Sequence, residues 1–120
     1  MASRWYHLVI DAKDPAALAR FWAAVLGYQL LYEGPGELVI GTGAHDYPGI
    51  CFVSVPEDKA GKNRLHIDLN PDDRDAEVER ILALGARHAD VGQGDVSWVV
   101  LADPEGNEFC VLRPHRSLVD

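Results

Sequence analysis

Apolar positions along this chain change period in a fixed order, and the order occurs twice. Leu8, Val9 and Ile10 form a compact apolar run, so Trp5 to Asp11 reads as a buried strand. Leu18, Phe21, Trp22, Val25 and Leu26 then recur at helical spacing and predict one apolar helix face. Asp14 followed by Pro15 supplies the helix start, and Gly27 the stop. Three strands follow, over Tyr28 to Tyr32, Glu37 to Ile40 and Ile50 to Val55. Gly34-Pro35-Gly36 and a loop with His45, Asp46, Tyr47 and Pro48 separate them.

After a charged link, Pro56 to Asn63, the pattern returns. Arg64 to Asn70 reads as a strand, and Pro71-Asp72-Asp73 opens a helix with Val78, Ile81 and Leu82 among its apolar positions. Gly85 closes it, and strands are predicted at Ala86 to Val91, Val96 to Ala102 and Glu108 to Leu112. The polar tail from Arg113 is expected to fray. His7 and His66 are 59 residues apart, as are Cys51 and Cys110, the only two cysteines. We read this as an internal duplication. The predicted class is α+β, a single domain over residues 1–120, with module one at about 4–56 and module two at about 63–113.

Strand periodicity assigns faces. His7, Val9 and Asp11 share one side of the first strand; His66, Asp68 and Asn70 share one side of its copy. Leu65, Ile67 and Leu69 take the other side, and the expectation is that they pack under the helix. The histidine faces then point away from the helices and line a polar concavity between the two halves. Both cysteines are expected to point the same way in their copies.

Composition narrows the function. A net charge of −8 excludes a phosphate-backbone partner and adsorption to anionic membrane, leaving a small molecule as the expected partner. No apolar run has the length of a membrane span, and the N-terminus lacks the apolar core of a signal peptide. Two cysteines make no disulfide framework, so the expected location is the cytoplasm.

The helix end FWAAVLGYQL, the segment KNRLHIDL and the terminal VVLADPEGNEFCVL, set in a duplicated β-α-β-β-β frame, resemble the vicinal oxygen chelate superfamily. That superfamily includes glyoxalase I, bleomycin resistance proteins and extradiol dioxygenases, and the similarity is greatest to its small glyoxalase-like subgroup. It runs from Trp5 to Leu112. It implies two tandem modules forming an incomplete barrel around a cavity, and a homodimer. It also maps the family's metal-ligand positions onto His7, Cys51, His66 and Cys110. Where the family usually has a carboxylate, this chain has cysteine, which argues against glyoxalase I chemistry and against a two-histidine, one-carboxylate iron site. Asp68 is then a partner behind the ligands.

Each candidate has a plain alternative. His7 and His66 are either ligands or hydrogen-bonding residues of a polar pocket, and Cys51 and Cys110 are either ligands or small core residues. Trp98 is the foremost aromatic candidate for a cavity wall, with core packing as the alternative. Lys59, Lys62 and Arg64 form a basic cluster that attracts an anion or is only solvated. The expected cavity residues are His7, His66, Asp68, Trp98 and Cys110. The expected function is a small-molecule-binding protein whose cavity holds a partly aromatic ligand. The alternative is a metal-dependent lyase, isomerase or dioxygenase in which His7 and His66 hold Zn, Ni, Fe or Mn.

Overall fold

A computed structural model describes residues 2–119. Two compact units divide the chain at Asp58 and Lys59. Each is a β-α-β-β-β module carrying its own four-stranded sheet, and the mixed α+β class expected from the duplication is the fold found.

In the first unit the order is β1 (His7–Ala12), α1 (Pro15–Leu26), β2 (Gln29–Gly34), β3 (Glu37–Gly41) and β4 (Gly49–Ser54). The sheet order is β1-β4-β3-β2, with β1 and β4 parallel and the other pairs antiparallel. The helix is fixed by its ends. The Asp14 carboxylate accepts a hydrogen bond from the Ala17 amide at 3.1 Å, Pro15 opens the first turn, and Gly27 closes the last at φ 68°. Leu18, Phe21, Trp22 and Val25 bury one helix face against β3 and β4. Each such side chain contributes about 1.5–3 kcal/mol on burial. The core of this unit is completed by Leu38, Ile40, Ile50 and Phe52.

The second unit repeats this order with shorter strands: β5 (Asp68–Leu69), α2 (Arg74–Ala83), β6 (Arg87–His88), β7 (Val99–Ala102) and β8 (Glu108–Val111). Its sheet order, β5-β8-β7-β6, matches that of the first. Asp73 caps α2 by accepting from the Ala76 amide at 3.1 Å. Val78 and Ile81 are buried on the side toward β8. Asp103, fully buried, closes the β7–β8 turn: one carboxylate oxygen accepts from the amides of Glu105 and Asn107, and both accept from the Asn107 side chain.

Several expectations change in this unit, and the strands foreseen at Ala86 to Val91 and Val96 to Ala102 shorten to Arg87–His88 and Val99–Ala102. The strand foreseen from Arg64 to Asn70 contracts to two residues. Its pairing with β8, Asp68 opposite Cys110 and Leu69 opposite Val111, is flanked by the Cys110 amide donating to Ile67 and the Leu112 amide donating to Leu69. Upstream, the Glu108 carboxylate takes the Asn63 amide at 3.1 Å instead, so the chain leaves the ladder. Leu65, expected under the helix, is therefore 81% exposed, while Leu69 is buried. The tail is not loose at its start, because the Asn70 side chain both donates to and accepts from the backbone of His115. Among the described residues, no helix is long and apolar enough to cross a membrane.

Candidate functional site

The second unit gathers the predicted residues. Parallel pairing of β5 with β8 sets Asp68 opposite Cys110, and antiparallel pairing of β7 with β8 sets Cys110 opposite Val100. His66 lies two residues before β5, beside Asp68. The ligand atoms of His66, Asp68 and Cys110 all lie within 4.8 Å of one another, with His66 Nε2 3.2 Å from Asp68 Oδ1. This is the only such convergence of His, Cys, Asp and Glu among the described residues.

A pocket of about 300 Å³ opens over this row. Trp98, Val100, Phe109 and Leu112 give it an apolar wall, and Lys62, Gln93 and the donor cluster give it polar edges. Trp98 precedes β7 by one residue, is 40% exposed and lines this pocket from the loop and not from the strand. The approach is braced by Glu108. It pairs with Lys59 at 2.6 Å, holds Asn63 through its carboxylate, and accepts from the Asn63 side chain through its backbone carbonyl at 3.4 Å. Burial alone would raise the Glu108 carboxyl, but the hydrogen bonds from Lys59 and the Asn63 amide outweigh it and hold it below its ordinary value. Of the predicted basic cluster, Lys59 is thus committed to an ion pair and Lys62 faces the pocket.

Cys110 is a thiol and not a thiolate at neutral pH. Burial pushes its pKa up first, the Asp68 charge and hydrogen bond add to that, and Lys62 opposes them. A buried neutral thiol is a poor nucleophile. Its use lies in packing or in ligation, where a cation displaces the proton.

The first unit repeats the row without the chemistry. Cys51 pairs with Val9 on β1 and Val39 on β3, so both cysteines hold equivalent places in their sheets, as the duplication predicted. Val9 stands where Asp68 stands in the copy, and Gly49 stands where Glu108 stands. The Cys51 thiol instead donates to Glu37 Oε1 at 3.6 Å. Its pKa is raised by burial, and further by the charge and hydrogen bond of Glu37. His7 lies opposite Gly49 and stacks on Tyr6 with ring centroids 4.0 Å apart. Together with the loop residues Asp46 and Tyr47, it lines a separate pocket of this unit. Within each unit, then, His66 and Cys110 come together with Asp68, whereas His7 and Cys51 turn to different partners. Glu108 and Glu37 were not foreseen. Glu108 was legible, since it lies two residues before Cys110 on one strand face; Glu37 was not, because only the β3–β4 register reveals it.

A family model described as glyoxalase-like domain matches residues 7–112. No curated protein matches the sequence. Among solved structures, a glyoxalase/bleomycin resistance protein/dioxygenase family enzyme from Burkholderia phytofirmans PsJN is 21% identical. It covers 94% of this chain and 100% of its own, with a TM-score of 0.74. The fosfomycin resistance protein FosX from Mesorhizobium loti is 19% identical, covering 93% and 92%, with a TM-score of 0.68. The trypanothione-dependent glyoxalase I of Leishmania major is 17% identical, covering 93% and 87%, with a TM-score of 0.65. At these identities the likeness concerns the fold.

Proposed function

Given that the chain belongs to the glyoxalase-like domain family, we propose that it is a small-molecule-binding protein whose second-unit pocket takes a partly aromatic ligand. The observation that carries this reading is the pocket's division into an apolar wall, with Trp98 at its mouth, and a polar edge bearing His66, Asp68 and Lys62. A half-exposed indole offers a stacking face, and the few polar groups fix orientation. The size suits a compact ligand of one or two rings, near the lower end of the roughly 300–1,000 Å³ usual for such sites.

The test uses 8-anilinonaphthalene-1-sulfonate as a reporter, displaced by a panel of flat aromatic acids. Saturable binding that weakens about tenfold in a Trp98→Ala variant supports the reading, since aromatic contacts are worth about that much. Binding that is indifferent to Trp98 removes it.

A second reading rests on the donor triad. In a tetrahedral site, bond lengths of 2.0–2.3 Å put donors roughly 3.3–3.8 Å apart. The 3.2 Å between His66 and Asp68 falls just short of that edge, and the Cys110 sulfur lies within 4.8 Å of both. One nitrogen, one oxygen and one sulfur suit Zn²⁺ better than Mn²⁺ and leave a coordination position for substrate oxygen. Under this reading the protein is a metal-dependent lyase, isomerase or dioxygenase-like enzyme, but not a glyoxalase I, because a thiolate replaces the carboxylate base. Equilibrium dialysis of tag-free protein against Zn²⁺, Ni²⁺, Fe²⁺ and Mn²⁺ tests it. One equivalent of Zn²⁺, lost in His66→Ala, is expected; no retained metal ends the metal reading.

The homodimer implied by the resemblance belongs to the same proposal. Sedimentation velocity checks it, and a monomer at tens of micromolar protein counts against it. A cytoplasmic location is part of it as well, supported by two buried free thiols.

A further inference from the structure

We propose that the first unit carries a separate site for an organic cation, an amine or quaternary ammonium group held among Tyr6, Tyr32 and Tyr47. This goes beyond the function proposed above, which concerns the other unit's pocket. The cavity measures about 370 Å³. Three tyrosine rings form its walls and two carboxylates, Glu37 and Asp46, lie on its lining. Among the described residues, no lysine or arginine lines it.

The walls are built for a compact ligand. Tyr6 and Tyr47 meet edge to face, with ring centroids 5.4 Å apart and planes at 71°, so they form a corner. Tyr32 is brought to the same pocket by a β-bulge between Leu30 and Tyr32, which lets Leu31 and Tyr32 both line it. Gly49, also on the lining, is held to glycine by the close neighbouring strands. A Cβ there would stand 2.9 Å from the Ile40 carbonyl oxygen and 3.7 Å from the His7 ring.

Three observations choose a cation over a neutral or anionic guest. Aromatic faces attract positive charge through their quadrupole, and angled faces serve a rounded cation better than a flat ring. The chain's own Arg4, which is not part of the pocket wall, already places its guanidinium carbon 5.4 Å from the centroid of Tyr47. The carboxylates supply the counter-charge. Glu37 is engaged only through Oε1, by the Cys51 thiol, and Asp46 forms no ion pair among the described residues. A metal ion is a poorer guest, because these carboxylates form no converging donor cluster with a histidine or cysteine.

Isothermal titration of the full chain with benzyltrimethylammonium and choline tests this, with 3,3-dimethyl-1-butanol as choline's neutral isostere. Both cations are expected to bind at one site, with the neutral alcohol at least about tenfold weaker than choline. Tyr47→Phe keeps the ring and retains affinity, Tyr47→Leu loses about tenfold, and Glu37→Gln combined with Asp46→Asn loses a similar factor. Tyr32 and Tyr47 are 54% and 43% exposed, so these variants keep the core, and circular dichroism verifies it. Three results would each overturn the proposal: equal affinity for choline and its alcohol, no binding of either cation at about 10 mM, or an unchanged affinity in Tyr47→Leu. Loss of cation binding in Trp98→Ala, with Tyr47→Leu intact, would place the cation in the second unit and overturn it too.

Discussion

At the scale of single residues, Asp103 illustrates how a motif earns its place physically. A fully buried carboxylate accepting two backbone amides and a side-chain amide is costly to remove, since those half-buried donors lose the acceptor that shapes the turn. Asp103→Ala is expected to cost about 2–4 kcal/mol in urea unfolding, and Asp103→Asn clearly less, because an amide oxygen can still accept. Equal costs for the two variants would mean that packing, and not acceptance, is what matters. Cys51 gives a pH dependence of definite sign. Its pKa is raised on folding, so above the ordinary thiol value of 9.0 the unfolded chain loses a proton that the folded chain keeps. The folded state binds more protons there, and stability falls as pH rises. Urea midpoints from pH 7.5 to 10.5 should decline less steeply in Cys51→Val than in the parent chain; parallel declines would show that Cys51 does not contribute.

Among elements, α1 and the short strands of the second unit stand at opposite ends of legibility. Asp14, Pro15 and Gly27 are local signals with local causes, so both ends of α1 were readable from the sequence and lie where the structure has them. Removing either helix cap, in Asp14→Ala or Asp73→Ala, should cost about 1 kcal/mol in thermal or urea unfolding. A null effect would mean that packing alone holds the helix starts. The length of β5 was not readable, because it depends on a competition with Glu108, whose carboxylate takes the Asn63 amide from 45 residues away. Alternation places Ile67 and Leu69 well but says nothing about where pairing stops, and Leu65 was misplaced for that reason. The candidate site divides the same way. Duplication and parity made His66 and Asp68 candidates, duplication made Cys110 one, and the strong seventh-strand signal made Trp98 one; all four line one pocket. The separate fates of His7 and Cys51 were not legible, since they follow from Glu37 and Gly49 across the sheet.

For the molecule as a whole, the two copies share topology but not the amount of ladder they build. Strands of five or six residues make the first sheet, whereas β5 and β6 of the second contribute two residues each. Shorter ladders and fewer buried positions mean cheaper local opening. Native-state hydrogen exchange should therefore show amides of β3 and β4 exchanging more slowly than those next to β5 and β6. Uniform protection across both units would mean that the chain opens only as one cooperative whole. The family match belongs to this scale as well, since it spans residues 7–112 and so both units.

The row Val9–Cys51–Val39 and its copy Asp68–Cys110–Val100 differ in one position's chemistry. Duplication hands both halves the same seat on the same sheet, after which each half is free to specialise without disturbing the other's backbone. Here one half has a carboxylate in that seat and the other a methyl-branched residue. That one seat separates a row that presents a carboxylate from one that does not, and valine and aspartate lie a single codon step apart. A lineage built this way can alter the character of one half while the other carries on its work, which suits a scaffold whose descendants meet many different small molecules.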